Sequence, residues 1–268
     1  MTLLTVTSLI AALLLAGLDV PAQVPSAARQ NYPAVIKDSP DRREKGEREW
    51  RRMLDSYGVP PTPPDLYPIT GTPRSLLGVS GGIKLLTGKP EPGTETFALR
   101  QAMKAFIDRW RELLGVDSAT VSLINAEVSG DTERLTYRQG NYAYPVAGNF
   151  GEMIAVVSKD ARLLQLDDRF VPVVDLPLKP TIERGLAAKK CIGRTFSYTD
   201  IAGREQRTAI SSADEVNVKR LVVLPIEKGD AVEVYLAWEV IAGKSLSWTV
   251  YIDAVKGEEL RVVQNFQT

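Results

Sequence analysis

The chain of 268 residues contains no histidine. Histidine is the usual general base at neutral pH and the commonest metal ligand in proteins. Its absence excludes a Ser-His-Asp triad, a Cys-His pair and the H-E-x-x-H zinc site. It does not exclude carboxylate pairs or Ser-Lys chemistry, which need evidence of their own.

The chain also has only one cysteine and no net charge. The single cysteine, Cys191, excludes an intramolecular disulfide and a cysteine metal cluster. We expect it to be a small buried side chain, and a reactive or intermolecular thiol is the alternative. Lysine plus arginine number 33, as do aspartate plus glutamate, so the chain has no net charge. That balance provides no electrostatic surface for nucleic acid or for an anionic membrane.

The polar motifs that are present do not form a catalytic pattern. Asp167-Asp168 and Glu258-Glu259 are adjacent pairs, and neighbouring side chains on a strand point to opposite faces. The glycine-rich piece 78–82 lacks the Gly-Lys-Ser/Thr ending of a phosphate-binding loop. We therefore expect no enzyme activity, no cofactor and no metal site.

The first part of the chain has the pattern of an export signal. An apolar run covers residues 9–18, and Val20-Pro21-Ala22 places short residues where signal peptidase cleaves. We expect a signal peptide over residues 1–22 and a secreted or periplasmic mature protein, with no membrane insertion after cleavage. A retained anchor is the alternative, but it needs about 20 apolar residues and usually a basic flank.

Residues 23–93 divide into a helix and an irregular segment. Ser39-Pro40-Asp41 is typical of a helix start, and Gly58 is a stop signal just beyond Ser56. Residues 58–93 then hold eight prolines and seven glycines, which predicts irregular structure. Apolar residues scattered through them indicate that the segment wraps on the folded part. We expect short paired strands over 75–79 and 83–86, with a turn at 80–82.

The remainder predicts an α+β fold in which a helix and an antiparallel sheet occur twice. The strongest helix covers residues 94–114, with Thr94 as its cap and a stripe from Leu99 to Leu113 at helical spacing. Two hairpins follow, 120–128 with 134–137 and 153–158 with 161–166. A second helix is predicted over 181–191. The later strands are predicted at 207–211, 219–224, 232–240, 246–252 and 259–263.

The order of motifs along this part resembles a known family. In the first half these are Leu135-Thr136-Tyr137-Arg138-Gln139, Tyr144-Pro145-Val146-Ala147-Gly148 and Ile154-Ala155-Val156-Val157. In the second half they are Tyr235-Leu236-Ala237-Trp238-Glu239-Val240 and Asp253-Ala254 followed by Gly257-Glu258. The chain resembles the fungalysin/thermolysin propeptide (FTP) domain followed by a PepSY domain, over roughly residues 95–263.

The resemblance implies two consecutive cystatin-like or PepSY-like modules. Their expected limits are 94–175 for the FTP-like domain and 176–268 for the PepSY-like domain, preceded by the helix and Pro/Gly-rich segment of 23–93. In the related proteases a zinc-binding catalytic domain follows this region. Here the chain ends at Thr268 and holds no histidine, so we expect a stand-alone module.

The candidate binding residues lie in a loop and in the tail. The loop 141–150 holds Tyr142, Tyr144, Pro145 and Phe150, and the tail holds Phe266. Tyrosines in loops often mark contact surfaces, and local packing is the alternative reading of the loop.

The expected function is that of an exported, non-enzymatic, propeptide-like protein. It would bind a thermolysin-like metallopeptidase in trans and inhibit it or assist its folding. The alternative is an envelope-associated adaptor or peptide-binding PepSY protein with no peptidase partner.

Overall fold

The computed structural model describes residues 31–76, 81–88, 90–91 and 93–267. The predicted signal peptide, residues 1–22, lies outside them. None of the helices in the described ranges is long and apolar enough to cross a bilayer. The helices are α1 (Pro40–Ser56), α2 (Glu95–Arg109), α3 (Arg111–Leu114) and α4 (Arg184–Lys189).

The strands alternate in sequence with short turns and form antiparallel pairs. The first eight are β1 (Ala34–Lys37), β2 (Asp65–Leu66), β3 (Pro73–Ser75), β4 (Ile83–Lys84), β5 (Val121–Ser129), β6 (Thr132–Gln139), β7 (Glu152–Ser158) and β8 (Arg162–Asp168). The last six are β9 (Thr195–Thr199), β10 (Glu205–Ala209), β11 (Val216–Lys228), β12 (Ala231–Ala242), β13 (Trp248–Asp253) and β14 (Glu259–Gln264). The predicted α+β class with antiparallel sheets is confirmed.

The first sheet has the order β4-β8-β7-β6-β5. Along β7 the side chains alternate between buried and half-buried, as expected of a strand with one face on the core. Helices α1, α2 and α3 cover that face, where Trp50, Met103 and Phe106 pack with Leu135 and Met153. Both predicted hairpins, β5-β6 and β7-β8, are confirmed.

Helix α1 begins where the sequence predicts. The Ser39 hydroxyl accepts a hydrogen bond from the Arg42 backbone N–H at 3.4 Å, and a proline occupies the first turn. Its buried stripe is Trp50, Met53 and Leu54. The Trp50 indole N–H donates to the Thr62 carbonyl at 2.8 Å. The helix therefore holds the start of the proline-rich segment against the first core.

The strands predicted over 75–79 and 83–86 have partners in the structure that were not predicted. Strand β3 pairs with β2, and β4 pairs with β8 at the edge of the first sheet. Residues 77–80, part of the predicted first strand and turn, lie outside the described residues. The physical reason is that Ile83 is buried in the first core, and pairing with β8 achieves that burial.

Helix α2 begins directly after Thr94, which occupies the predicted cap position but makes no side-chain hydrogen bond to the helix. The Thr94 hydroxyl donates to the Glu91 carbonyl at 2.8 Å and accepts no bond from the helix. The predicted single helix over 94–114 is divided at Trp110, whose φ is −110° and ψ 25°. This break places the Trp110 ring in the core beside Leu113 and Leu114.

The second sheet is built around the long strand β12. Strand β11 pairs with one edge of β12, and both β13 and β1 pair with the other edge. Strand β14 completes the sheet beside β13. Strand β1 was not predicted, and it lies against Ala231–Val234 of β12. The N-terminal segment thus belongs to the C-terminal sheet.

Helix α4 and a two-stranded ribbon accompany this sheet. The helix is shorter than the predicted 181–191, because the Thr181 and Ile182 backbone N–H groups both donate to the Ala254 carbonyl. Ala187 and the buried Cys191 pack on β12 and β13. The ribbon pairs β9, which was not predicted, with β10.

The predicted domain limits stay predictions. The described part of 31–93 is not a separate spacer, however, since it contributes Trp50 and Ile83 to the first core and Ile36 to the second sheet.

Candidate functional site

The loop between β6 and β7 is fixed at its base by backbone and amide hydrogen bonds. The buried Gln139 side chain donates to the Val171 carbonyl at 2.6 Å and accepts from the Val171 N–H at 3.0 Å. Gly151 closes the loop with φ +76°, and a Cβ there would lie 2.4 Å from the Val146 Cβ. Only glycine therefore fits this close approach.

The two tyrosines of the loop are bonded within the chain. The Tyr142 hydroxyl donates to the Pro172 carbonyl at 2.7 Å and accepts from the Val174 N–H at 3.3 Å. Burial raises the pKa of Tyr142 to about 12. The Tyr144 hydroxyl donates to the Leu178 carbonyl at 2.7 Å. Both rings thus hold the crossover segment 171–178, and neither hydroxyl is directed at a partner.

Pro145 and its neighbours join the two sheets. The Val223 N–H of β11 donates to the Pro145 carbonyl at 2.9 Å, and the Ala147 N–H donates to the Val223 carbonyl at 2.9 Å. Val146 and Val223 form a parallel bridge. The loop therefore adds a short strand segment to the edge of the second sheet.

Phe150 and Phe266 occupy different clusters. Phe150 packs at the margin of the cluster that holds Val146 and Val223. Phe266 packs edge-on to Trp248 and to Tyr198, each with ring centroids 5.2 Å apart. The structure therefore brings together the four predicted loop residues and places Phe266 elsewhere, against the ribbon and β13.

A pocket of about 170 Å³ opens between the loop and the crossover segment. The Asn141 Oδ1 atom in its wall is buried and has no hydrogen-bond donor within the described part of the chain. Val173 and Leu178 at the rim are 59% and 72% exposed. The lining residues are Asn141, Tyr142, Ala143, Tyr144, Val173, Val174, Asp175, Leu176, Pro177, Leu178, Val223 and Leu236.

This pocket can take one small apolar group together with an N–H donor. The apolar rim can remove an apolar group of the ligand from water. The unpaired Asn141 amide oxygen can accept a hydrogen bond from the ligand, because it has no donor among the described residues. Sequence reasoning identified its two tyrosines but missed Asn141, Val173 and Leu178. The signal that points to the rim is the apolar run from Val171 to Leu178, interrupted only by prolines and Asp175.

The buried ionisable groups serve the fold. Asp168 and Asp253 are fully buried at the ends of their strands, where Asp168 accepts one backbone N–H bond and Asp253 accepts two. Burial raises the pKa of the Cys191 thiol, which disfavours the reactive thiolate. In the ranges described above, no three histidine, cysteine, aspartate or glutamate side chains are placed to hold a metal ion.

Comparisons with known proteins assign no family. No protein-family model matches the chain, and no curated protein matches it. Among solved structures it is similar to the Bacillus megaterium YpeB C-terminal domain, at 14% identity and a TM-score of 0.35, over 86% of this chain and 99% of that one. At this identity and TM-score the likeness assigns no function, and the resemblance to FTP and PepSY domains stays a prediction.

Proposed function

We propose that the chain is an exported, non-enzymatic, propeptide-like protein that binds a thermolysin-like metallopeptidase in trans. Binding would inhibit the peptidase or assist its folding. The observation that carries the proposal is the pair of helix-covered antiparallel sheets joined at Val223 by the Pro145–Ala147 segment. The strands and the loop follow one another along the chain in the same order as the sequence motifs that resemble the propeptide family.

Recognition by surface complementarity fits the chemistry of the chain. The whole sequence lacks histidine, and the buried aspartates of the two sheets are used in turns. The exposed apolar rim at Val173 and Leu178 offers a contact surface beside the pocket. Because the loop tyrosines are bonded internally, we assign them the role of holding this rim and not of contacting the partner.

The test is titration of a thermolysin-like peptidase with the purified chain, measuring peptide hydrolysis and the recovery of activity after refolding. We expect slower hydrolysis or a higher refolded yield. Val173→Asp places a charge on the exposed rim and is expected to weaken the effect about tenfold, since rim burial is lost. Ile201→Asp on the ribbon tip, where the side chain is 92% exposed, is the matched control and is expected to change nothing. No effect of the unmodified chain at micromolar concentration would contradict the proposal.

The pocket also favours a second candidate, a peptide-binding adaptor of the cell envelope with no peptidase partner. The unpaired Asn141 oxygen is the specific observation, since it suits a peptide N–H. Affinity capture from the exported fraction separates the two: recovery of a metallopeptidase supports the first candidate, and recovery of envelope components supports the second.

A further inference from the structure

The free edge of the first sheet lies beside a groove. Strand β5 pairs with β6 on one side, and no described strand pairs with its other side. β5 is nine residues long and contains neither proline nor lysine, two residues that commonly protect edges. Its unpaired N–H and C=O groups form a template for another strand. A register shift at Ile124 interrupts this edge, and bulges are another feature that protects edges, so the template consists of the regular segments on either side of it.

The groove runs between this edge and helix α2 and has a volume of about 260 Å³. Val121 and Leu123 are half-buried and form its strand wall, and Ile107 of the helix lies fully buried at its base. That space suits side chains of an extended segment better than a drug-sized ligand, whose sites start at about 300 Å³.

The helix wall of the groove is cationic. Lys104 is exposed, and its charge helps to lower the pKa of Asp108 one turn along the helix. Arg100 contacts Glu133 at 3.2 Å but keeps 43% of its side chain exposed. None of the described residues that line the groove is acidic. The two cations lie on the helix wall, opposite the apolar Val121 and Leu123 of the strand wall, so a strand laid along β5 would direct alternate side chains into this space.

We propose that the β5 edge and this groove bind an extended peptide segment of another protein, as an additional strand of the first sheet. The segment carries an apolar residue for Val121 and Leu123, and an acidic residue two positions away for Lys104 and Arg100. Charge complementarity identifies this occupant. The chain's own residues 23–30 hold Arg29 and no acidic residue, so they do not match the groove.

Strand addition of this kind already occurs within the molecule. The edge of β11 accepts the Pro145–Ala147 segment through two backbone hydrogen bonds to Val223. In strand addition, main-chain bonds provide affinity and pockets for alternate side chains provide specificity. The β5 groove supplies both, and it does so without depending on a peptidase partner.

The probe is a terminally blocked seven-residue peptide with glutamate in the centre, leucine two positions away on each side and threonine elsewhere. The pattern is the same in both directions, so either strand orientation can be adopted. The control peptide has lysine in the centre. Binding to the full chain is followed by backbone amide NMR shifts and by hydrogen exchange.

We expect shifts and slower exchange over Val121–Ser129, with none over Glu259–Gln264, the free edge of the second sheet. At low salt the glutamate peptide should bind about fivefold tighter than the lysine peptide, as for a partly exposed ion pair. Lys104→Glu should reverse that preference. Lys219→Glu makes the same charge change at an exposed position on β11 and should leave the preference intact.

Four outcomes would overturn the proposal. These are no shift at millimolar peptide, shifts along β14 in place of β5, a preference that survives Lys104→Glu, and self-association of the chain through β5 in the absence of peptide. Each is independent of whether a metallopeptidase is inhibited.

Discussion

Asp168 is a buried carboxyl group whose removal is expected to stabilise the protein. It lies at the end of β8 and is fully buried. Its Oδ1 accepts from the Phe170 N–H at 2.9 Å, while its Oδ2 has no donor among the residues that the structure describes. Burial raises the pKa of Asp168 well above its ordinary value, and the neighbouring Asp167 charge adds to the rise.

The sign of the pH effect follows from that direction. The folded state holds the proton more tightly than the unfolded state, whose aspartate pKa is about 3.9. The protonated Asp168 carboxyl therefore makes its full contribution to stability below the unfolded-state pKa. That contribution is lost as the pH rises toward the pKa of Asp168 in the folded state. The loss proceeds at up to about 1.4 kcal/mol per pH unit. Asp168→Asn keeps an acceptor for Phe170 and carries no charge. It should raise the free energy of unfolding at pH 7, and the gain over the parent should shrink by up to about 1.4 kcal/mol for each unit by which the pH is lowered.

Urea unfolding between pH 5 and pH 8 measures both the change and its slope. Asp253→Asn is the matched control, because Asp253 is equally buried and its Oδ2 likewise has no donor among the described residues. Its Oδ1 accepts from the Tyr32 hydroxyl at 2.8 Å and from the Val255 and Lys256 N–H groups at 2.7 and 2.9 Å. Hydrogen bonds to a charged group contribute more than neutral ones, so this variant should lose about 1–3 kcal/mol. The reasoning is refuted if Asp168→Asn is destabilising at every pH and leaves the pH slope of the parent unchanged.

Two further pairs of variants test contacts that position the sheets. Tyr32→Phe removes a hydroxyl that donates to a fully buried carboxylate and should lower the free energy of unfolding by about 2 kcal/mol. Tyr67→Phe removes a similar bond to a carboxylate that also binds an arginine, and should cost about half as much in the same urea titration; equal costs would contradict this reading. Gly151→Ala adds a methyl group 2.4 Å from the Val146 Cβ at a φ of +76°, and should cost about 3 kcal/mol through strain and overpacking. Gly203→Ala, at a φ of +78° with open space around it, should cost about 1–2 kcal/mol, and thermal unfolding that ranks the two in the opposite order would refute the packing argument.

Local patterns predicted much of the fold. Helix α1 follows from the Ser39 cap and the stripe of Trp50, Met53 and Leu54, and the hairpins follow from alternation around short polar turns. The elements missed were β1, β2, β9 and the pairing of β4 with β8. Their partners are distant in sequence or weakly patterned, and a four-residue strand such as β1 carries no periodic signal of its own.

Four of the five candidate site residues lie together in the structure and Phe266 lies elsewhere, while their role in binding stays a prediction. The sequence indicates an aromatic loop at 141–150, and the structure places these residues together. A tyrosine hydroxyl bonds equally well to a partner protein or to its own backbone, so composition does not distinguish a contact surface from an internal support. Asn141 was missed because its unpaired oxygen depends on how the crossover segment passes the loop.

The pairing of β1 with β12 has a consequence for the order of assembly. The Tyr32 hydroxyl and the Leu236 carbonyl that it contacts are 204 positions apart. Contacts this distant in sequence form late, because the loop-closure entropy is lost before the contact is gained. While the chain is being synthesised, β1 has no sheet to join until β12 exists. The segment that leaves the ribosome early must therefore stay unpaired until the C-terminal third is available, and the second sheet closes only when both ends of the chain have met.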